Sequence, residues 1–264
     1  MLCFLTNLMW VFYVYNRMKK RYFLLDSLRG ITLIGMMVYH SVWDLVYMFG
    51  VKMPWYQSEG AFIWQQSICW TFILLSGFCW SLGGKKLKRA LQVAGASVLI
   101  SAVTLIFMPE NRVLFGVLSA IGTGMLLMIP LDKVFRRINT YLGILASFGL
   151  FIITREVNAG YLGFGSWRLL ELPKVWYANL FTAYLGFPAA GFWSTDYFSI
   201  IPWLFLYWTG YFLYIIFEQM DFMKYLTGFR IRPLEVLGRH SLEIYMLHQP
   251  LIYGVLYLIF RLVE

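Results

Sequence analysis

Seven long apolar runs, separated by short basic clusters, constrain the fold of this chain more than any other feature. They cover residues 24–49, 61–82, 90–108, 113–131, 141–153, 198–217 and 241–262. A membrane-spanning helix needs about 20 apolar residues, and only 13% of the 264 residues are charged, against about 25% in soluble domains. A soluble enzyme, a disordered chain, a disulfide-stapled secreted module and an outer-membrane barrel, whose segments alternate over about ten residues, are therefore excluded. We predict an all-α polytopic membrane bundle of about seven transmembrane helices.

The net charge of +9 is concentrated between the apolar runs. Under the positive-inside rule, clusters of lysine and arginine mark the cytoplasmic side, where anionic membrane lipids would be their neighbours. None of the clusters is interleaved with exposed aromatic residues on a soluble module, so no nucleic-acid partner is expected. Fifteen of the 22 basic residues lie in four clusters, which are Arg17/Lys19/Lys20/Arg21, Lys85/Lys86/Lys88/Arg89, Lys133/Arg136/Arg137 and Lys224/Arg230/Arg232/Arg239.

Two apolar segments do not fit a simple crossing. Residues 1–16 precede their basic cluster, which is the reverse of a secretory signal, so they form either a short extra span or an interfacial segment. Residues 1–20 comprise this apolar segment and the basic cluster. The charge rule requires an even number of crossings between Arg155 and Phe198, and the break at Gly186-Phe187-Pro188 indicates that segment 179–192 is re-entrant or interfacial. Residues 21–264 then form a single membrane domain.

The three cysteines, Cys3, Cys69 and Cys79, lie in apolar stretches without the spacing of metal ligands. An odd number of cysteines in hydrocarbon gives no disulfide framework, so packing is their expected role. The three histidines of the chain are dispersed and lack companion ligands, so no metal is expected.

The first long run carries most of the ionisable residues found inside the runs. Asp26, Arg29, His40 and Asp44 share one helical stripe, because Arg29 and His40 differ by about 20° around the axis and Asp44 follows His40 by one turn. About 16 Å along the axis separates Arg29 from His40. Ionisable side chains in hydrocarbon cost free energy and are functional candidates by default.

Each of these residues also has a purely structural explanation. Arg29 can extend to the headgroups, His40 can bond to a neighbouring helix, Asp44 can cap the exit turn, and Asp26 stands where an N-cap would. Their common stripe favours chemistry instead. Asp44 would orient His40 as a general base, and Arg29 would bind phosphate at the cytoplasmic end.

A second polar cluster lies at the start of the last run. Arg239 and His240 precede this run, and His248 and Gln249 lie within it, so all three histidines fall in two motifs at opposite ends of the chain. A helix start explains the first pair structurally. A kink at Pro250 would free backbone groups that the second pair could satisfy.

Small residues predict close contacts between helices. Gly116, Ala120 and Gly124 recur every four residues, and Ser76-Gly77 interrupts another run. Both patterns favour helix packing over a ligand groove, and the first leaves room for a homodimer.

Further polar and aromatic residues are candidates for binding a substrate on the outer side of the membrane or for supporting the site. Asp196 and Trp203 mark the outer entrance of the sixth run, and Trp203 also fits an interfacial aromatic belt. Trp43 and Ser119 join them as supporting candidates, together with His248 and Gln249.

Several blocks of the sequence resemble the heparan-α-glucosaminide N-acetyltransferase catalytic-domain family. The resemblance runs from about Arg21 to Tyr257, and Arg29 and His40 also match the Arg-x10-His signature of the related membrane acyltransferase-3 proteins. The blocks that carry it are Arg21-Tyr22-Phe23-Leu24-Leu25-Asp26-Ser27-Leu28-Arg29-Gly30, Met37-Val38-Tyr39-His40, Trp43-Asp44-Leu45, Ser76-Gly77, Phe115-Gly116-Val117-Leu118, Asp196-Tyr197-Phe198, Ile201-Pro202-Trp203, Leu237-Gly238-Arg239-His240-Ser241-Leu242 and His248-Gln249-Pro250.

This resemblance implies a transmembrane acyltransferase, in which acyl-CoA enters from the cytoplasm and the acyl group passes to an acceptor, usually a sugar, on the far side. By position, His40 matches the catalytic histidine and Arg29 matches a donor-side residue. Asp26, Arg239 and His240 would join Arg29 in binding acyl-CoA.

The chain departs from the family pattern at two points. No histidine occurs in the stretch between His40 and His240, where the lysosomal branch has its active histidine in the loop after the first span. Ser119 stands where bacterial relatives often carry a histidine. The first departure shifts the assignment to His40, and the second bears on whether the acceptor is shared.

We predict an acyl-CoA-dependent membrane acyltransferase that moves an acetyl group from acetyl-CoA to an extracytoplasmic carbohydrate or envelope glycoconjugate, by N- or O-transfer, in a bacterial cytoplasmic membrane. His40 would act as a general base or as a transient acyl carrier. The alternative is a proton-coupled transporter or flippase that uses Arg29, His40 and Asp44 as a relay, although the sequence has no obvious inverted repeat. A third interpretation is a non-catalytic membrane subunit.

Overall fold

The computed structural model describes residues 21–228 and 230–263, and helices dominate it. The predicted N-terminal segment, with Cys3, lies outside the described residues. In chain order the described part contains α1 (Phe23–Tyr47), α2 (Glu59–Trp80), α3 (Lys86–Phe107), α4 (Val117–Phe135), α5 (Thr140–Ile153), β1 (Tyr161–Phe164), β2 (Trp167–Glu171), α6 (Leu180–Leu185), α7 (Ile200–Gln219), α8 (Arg232–Arg239) and α9 (Ser241–Val263).

Within residues 21–228 and 230–263, six helices are long and apolar enough to cross a membrane. They are α2, α3, α4, α7, α9 and the segment Thr140–Ala159, which extends α5. The prediction of an all-α polytopic membrane protein is confirmed. The expected further crossing corresponds to α1, which has 25 residues and extends about 37 Å. Polar residues such as His40 and Asp44 lower the mean hydropathy of α1, so its composition alone does not identify it as a span.

The central helix α7 packs against α2, α4 and α5. Its approach to α2 is reciprocal: a Cβ at Gly77 would overlap the carbonyl oxygen of Tyr207, and a Cβ at Gly210 would overlap that of Leu74. Gly124 on α4 faces the ring of Tyr207. The small residues at Gly77 and Gly124 therefore serve helix packing, as the sequence predicts.

A second group of helices surrounds α1. The short helix α8 packs along the first turns of α1, where a Cβ at Gly30 would overlap the carbonyl oxygen of Leu234 and a Cβ at Gly238 would overlap that of Asp26. Further along, α1 packs against α9 and α2. The backbones of α1 and α8 thus touch, and this contact fixes the position of the residues they carry.

The segment between α5 and α7 differs from the purely helical prediction. β1 and β2 form a small antiparallel hairpin around Gly165. The stretch that follows contains only α6, six residues long and capped by Asn179, whose side chain accepts hydrogen bonds from the backbone N–H groups of Phe181 and Thr182. A helix of six residues is too short to cross a bilayer, which agrees with the prediction that this segment is not a span.

Candidate functional site

A cavity of about 470 Å³ lies among α1, α2, α3, α4, α8 and α9. Its lining includes four arginines from three parts of the chain and two carboxylates, and most of its other lining residues are apolar. The polar residues named here are Arg21, Arg29, Arg89, Arg239, Asp26 and Glu243, and the apolar residues are Phe72, Cys79, Val93, Val117, Leu118, Ile121, Met125, Leu242 and Tyr245. We call the four arginines the arginine mouth.

Carboxylates hold three of the four arginines of this mouth. The Nε of Arg21 and the Nη1 of Arg29 lie 3.3 Å and 3.1 Å from the carboxylate oxygens of Asp26. The Nη2 of Arg239 lies 3.0 Å from a carboxylate oxygen of the fully buried Glu235. These pairs fix the guanidinium groups while leaving other N–H donors available to a ligand.

The prediction that Asp26 is the N-cap of α1 is wrong. Tyr22 occupies the cap position, and Asp26 lies in the first turn, where its negative charge is favourable at the helix N-terminus and where it can reach both arginines. His240 is exposed and does not line the cavity, although its neighbours Arg239 and Ser241 do.

A second candidate site is formed where two histidines from opposite ends of the chain lie side by side. The ring centroids of His40 on α1 and His248 on α9 lie 5.0 Å apart. Beside them, the Nε2 of Gln249 donates a 2.6 Å hydrogen bond to the Oδ1 of the fully buried Asp44. We call these four residues the histidine cluster.

The predicted pairing of Asp44 with His40 is absent from the described residues. Asp44 bonds to Gln249, because α9 packs over the stripe of α1 and brings an amide within reach of the carboxylate. The ring centroid of His248 lies 5.0 Å from that of His40, closer than the 6.2 Å of its chain neighbour Tyr39. A neighbouring helix therefore provides the contacts that the sequence assigned to a residue one turn away.

Tyr245 lies between the cavity and the histidine cluster. Its side chain lines the cavity, and its ring centroid is 5.3 Å from that of His248. His40 does not line the cavity, whereas Arg29 does. Arg29 and His40 thus lie on one unbroken helix, as predicted, but only Arg29 reaches the cavity.

Asp196 is part of the wall behind Tyr245. Its Oδ2 accepts a 3.2 Å hydrogen bond from the backbone N–H of Val117 and a 3.5 Å one from the hydroxyl of Tyr245. A Cβ at Gly116 would come within 2.6 Å of that oxygen, so glycine is needed there. Burial raises the pKa of the Asp196 carboxyl to about 6, and the two hydrogen bonds limit the rise.

The raised pKa of Asp196 predicts a pH-dependent stability that Asp196→Asn removes. As the pH rises from about 4 to about 6, the unfolded state loses the carboxyl proton while the folded state keeps it, so wild-type stability falls relative to the variant. Above pH 6 the difference becomes constant. We expect the melting-temperature difference, variant minus wild type, to grow across this range in detergent. A difference that stays flat from pH 4 to 7 would contradict the assignment.

The remaining predicted candidates, Trp203, Trp43 and Ser119, belong neither to the cavity lining nor to the histidine cluster. Trp203 is buried, only 4% exposed, so it is not an interfacial belt residue; the guanidinium of Arg155 lies 4.9 Å from its ring centroid. Trp43 packs on Tyr47 at 5.4 Å. Ser119 is partly exposed and does not line the cavity.

From the sequence, Arg21 and Arg89 are members of cytoplasmic basic clusters only, and Glu243 and Tyr245 have no assigned role. All four line the cavity. A signal was present for Arg89: its basic cluster directly precedes the apolar run 90–108, which places it at the cytoplasmic boundary of the membrane. Tyr245 had no such signal, because its importance comes from its neighbours on other helices.

The part of the chain that contains the arginine mouth and the histidine cluster matches a known protein family. The family described as heparan-alpha-glucosaminide N-acetyltransferase, catalytic, matches residues 21–250. No curated protein and no solved structure gives a match to the chain. The matched range begins at the first residue of the arginine mouth and ends one residue beyond the histidine cluster.

Proposed function

The chain belongs to the heparan-alpha-glucosaminide N-acetyltransferase catalytic family and is a membrane acetyltransferase, and from this premise we propose its donor, its acceptor and its direction of transfer. It takes an acetyl group from acetyl-CoA on the cytoplasmic side and passes it to a carbohydrate or envelope glycoconjugate on the far side of a bacterial cytoplasmic membrane.

The observation that carries this proposal is the arginine mouth. Arg21, Arg89 and Arg239 belong to basic clusters that the positive-inside rule places in the cytoplasm, and Arg29 lies beside Arg21 through their shared partner Asp26. Guanidinium groups match phosphate oxygens in pairs of parallel hydrogen bonds. The nucleotide phosphates of acetyl-CoA are therefore the ligand that this end of the cavity suits.

The rest of the cavity suits the acyl arm of the donor. Its apolar walls, formed by residues such as Phe72, Ile121 and Met125, can cover a pantetheine chain. Its volume of about 470 Å³ falls within the 300–1,000 Å³ of typical ligand pockets. The arm would lead from the arginine mouth towards Tyr245, and the histidine cluster lies directly beyond.

The histidine cluster is the proposed place of transfer. His40 acts there as a general base or as a transient acyl carrier, and Asp44 and Gln249 support the acceptor. Tyr245 separates this cluster from the cavity, so its side chain has to move or to share its space with the thioester during transfer.

A thermal-shift experiment tests the donor site. Acetyl-CoA at about 100 times its Kd stabilises a folded protein by about 2.7 kcal/mol, so we expect a rise of several degrees in melting temperature for the purified wild type. Arg29→Ala should lose most of this rise, because it removes a phosphate ligand. S-acetyl-pantetheine, which lacks the nucleotide phosphates, should stabilise both proteins equally.

Arg137→Ala is the matched control. Arg137 belongs to a cytoplasmic basic cluster, is exposed and does not line the cavity, so this variant should keep the full acetyl-CoA response. Equal losses in Arg137→Ala and Arg29→Ala would indicate attraction by general basic charge, and no response of the wild type would contradict the proposal.

A further inference from the structure

We propose that His248 is the general base that takes the proton from the acceptor, and that the acceptor is a polyhydroxyl compound held by Asp44 and Gln249. This inference rests on the proposed function, and it assigns the proton transfer to the last helix rather than to α1.

The hydrogen bond of His248 fixes which ring nitrogen carries its proton. The Nδ1 of His248 lies 2.6 Å from the backbone carbonyl oxygen of Tyr245. Because a carbonyl oxygen only accepts, Nδ1–H is the donor, and a neutral imidazole then leaves the lone pair on Nε2. His248 thus has the arrangement of a general base: one nitrogen is held by an acceptor, and the other is free to receive a proton.

The free nitrogen is buried and has no partner. The side chain of His248 is 7% exposed, and its Nε2 forms no hydrogen bond with any described residue. An unpaired buried polar atom costs about 1–3 kcal/mol. Such an atom in a native protein calls for an explanation, and a bound substrate group supplies one.

Two more unpaired atoms lie beside it. The Oδ2 of Asp44 and the Oε1 of Gln249 are buried without partners among the described residues. The orientation of the Gln249 amide is fixed, because its Nε2 donates to the Oδ1 of Asp44 and a carboxylate oxygen cannot donate. All three unpaired atoms are therefore hydrogen-bond acceptors.

Three acceptors without donors define the chemistry of the missing group. Several O–H groups on one molecule, as in a sugar, would satisfy them together, whereas an acidic or ether-rich ligand would not. One hydroxyl would face Nε2 of His248 and react, and the others would bond to Asp44 and Gln249. The arrangement therefore suits a polyhydroxyl acceptor, whose hydroxyl groups can donate to all three atoms.

The step balances without any further reactant. The acceptor oxygen attacks the acetyl carbonyl carbon, so that a C–O bond forms and the bond from that carbon to the donor breaks, which is C–S on coenzyme A or C–N on an acetylated His40. The hydroxyl proton passes to Nε2 of His248. The imidazolium then returns this proton to the leaving sulfur or nitrogen, and His248 is neutral again.

The test compares His248→Asn with the wild type. An asparagine amide can still donate to the carbonyl of Tyr245 but cannot accept a proton, so this variant keeps the local fold. We expect thiol release from acetyl-CoA in the presence of 50 mM glucose or glycerol as polyhydroxyl probes to fall by about 100-fold or more, while the acetyl-CoA thermal shift stays as in the wild type.

Two further variants complete the experiment. Imidazole added to His248→Ala should restore part of the lost rate, because it can occupy the space of the missing ring and accept the proton. Arg137→Ala, which removes an exposed side chain outside the cavity, should leave the rate unchanged. Transfer by His248→Asn within twofold of the wild type would overturn this inference and leave the proposed function standing, whereas an inactive wild type that acetyl-CoA does not stabilise would overturn the proposed function itself.

Discussion

Replacing Gly77 by leucine will prevent this chain from reaching its folded state. A side chain at this position meets the backbone carbonyl of Tyr207 on the central helix, and backbone cannot rotate away as a side chain can. Ordinary overpacking of a core costs about 1–3 kcal/mol, and a branched residue between two helix backbones forces α2 and α7 apart. We expect no monodisperse protein after extraction in a mild detergent.

Gly95→Leu is the control for this substitution. Gly95 lies in the middle of α3, and a Cβ added there meets nothing within 4 Å. This variant makes the same chemical change in another membrane helix, so its yield and melting temperature should match those of the wild type. A Gly77→Leu protein that melts within two degrees of the wild type would contradict the close packing of α2 on α7.

Replacing His40 by alanine will abolish acetyl transfer while leaving the donor bound. His40 is the ring next to His248 in the histidine cluster and does not line the cavity, so the arginine mouth remains intact. A base or nucleophile of this kind contributes about 10²–10⁴-fold to a rate. We expect thiol release to fall by at least 100-fold and the acetyl-CoA thermal shift to remain.

Because the proton transfer is assigned to His248, mass spectrometry of the wild type with acetyl-CoA tests the acyl-carrier role that remains for His40. An acetyl group trapped on the peptide that contains His40 identifies it as an acyl carrier, and its absence in rapidly quenched samples favours direct transfer. Retention of more than a fifth of the wild-type rate in His40→Ala would show that His40 takes part in neither step.

Most of the helical architecture follows from the sequence. A segment that crosses the hydrocarbon must pair its backbone N–H and C=O groups within its own helix and must present apolar side chains, so each span appears as a continuous apolar run. Polar capping residues mark the ends of some helices. The side chain of Asn139 accepts hydrogen bonds from the N–H groups of Tyr141 and Leu142 and so caps the start of α5. The hairpin at Gly165-Ser166 had a usable signal as well, since a two-residue Gly-Ser loop is typical of a tight turn between strands.

The arrangement of the site is less predictable. Helical periodicity places Arg29 and His40 on one face of α1, but it does not say which helix covers each part of that face. α8 covers the part near Arg29, and α9 covers the part near His40. Contacts such as that between Asp44 and Gln249 join residues more than 200 positions apart, and no local pattern encodes them.

The backbone contact between α1 and α8 has a kinetic consequence. Arg29 and Arg239 lie on two helices whose backbones touch at Gly30 and Gly238, so this part of the proposed phosphate site is formed before any ligand binds. Preorganised groups lose little freedom on binding, and this applies equally to spent coenzyme A, whose phosphates are identical to those of the donor. Release of coenzyme A should then limit the rate of each catalytic cycle. The cytoplasmic ratio of acetyl-CoA to free coenzyme A would set the rate of acetylation on the far side of the membrane.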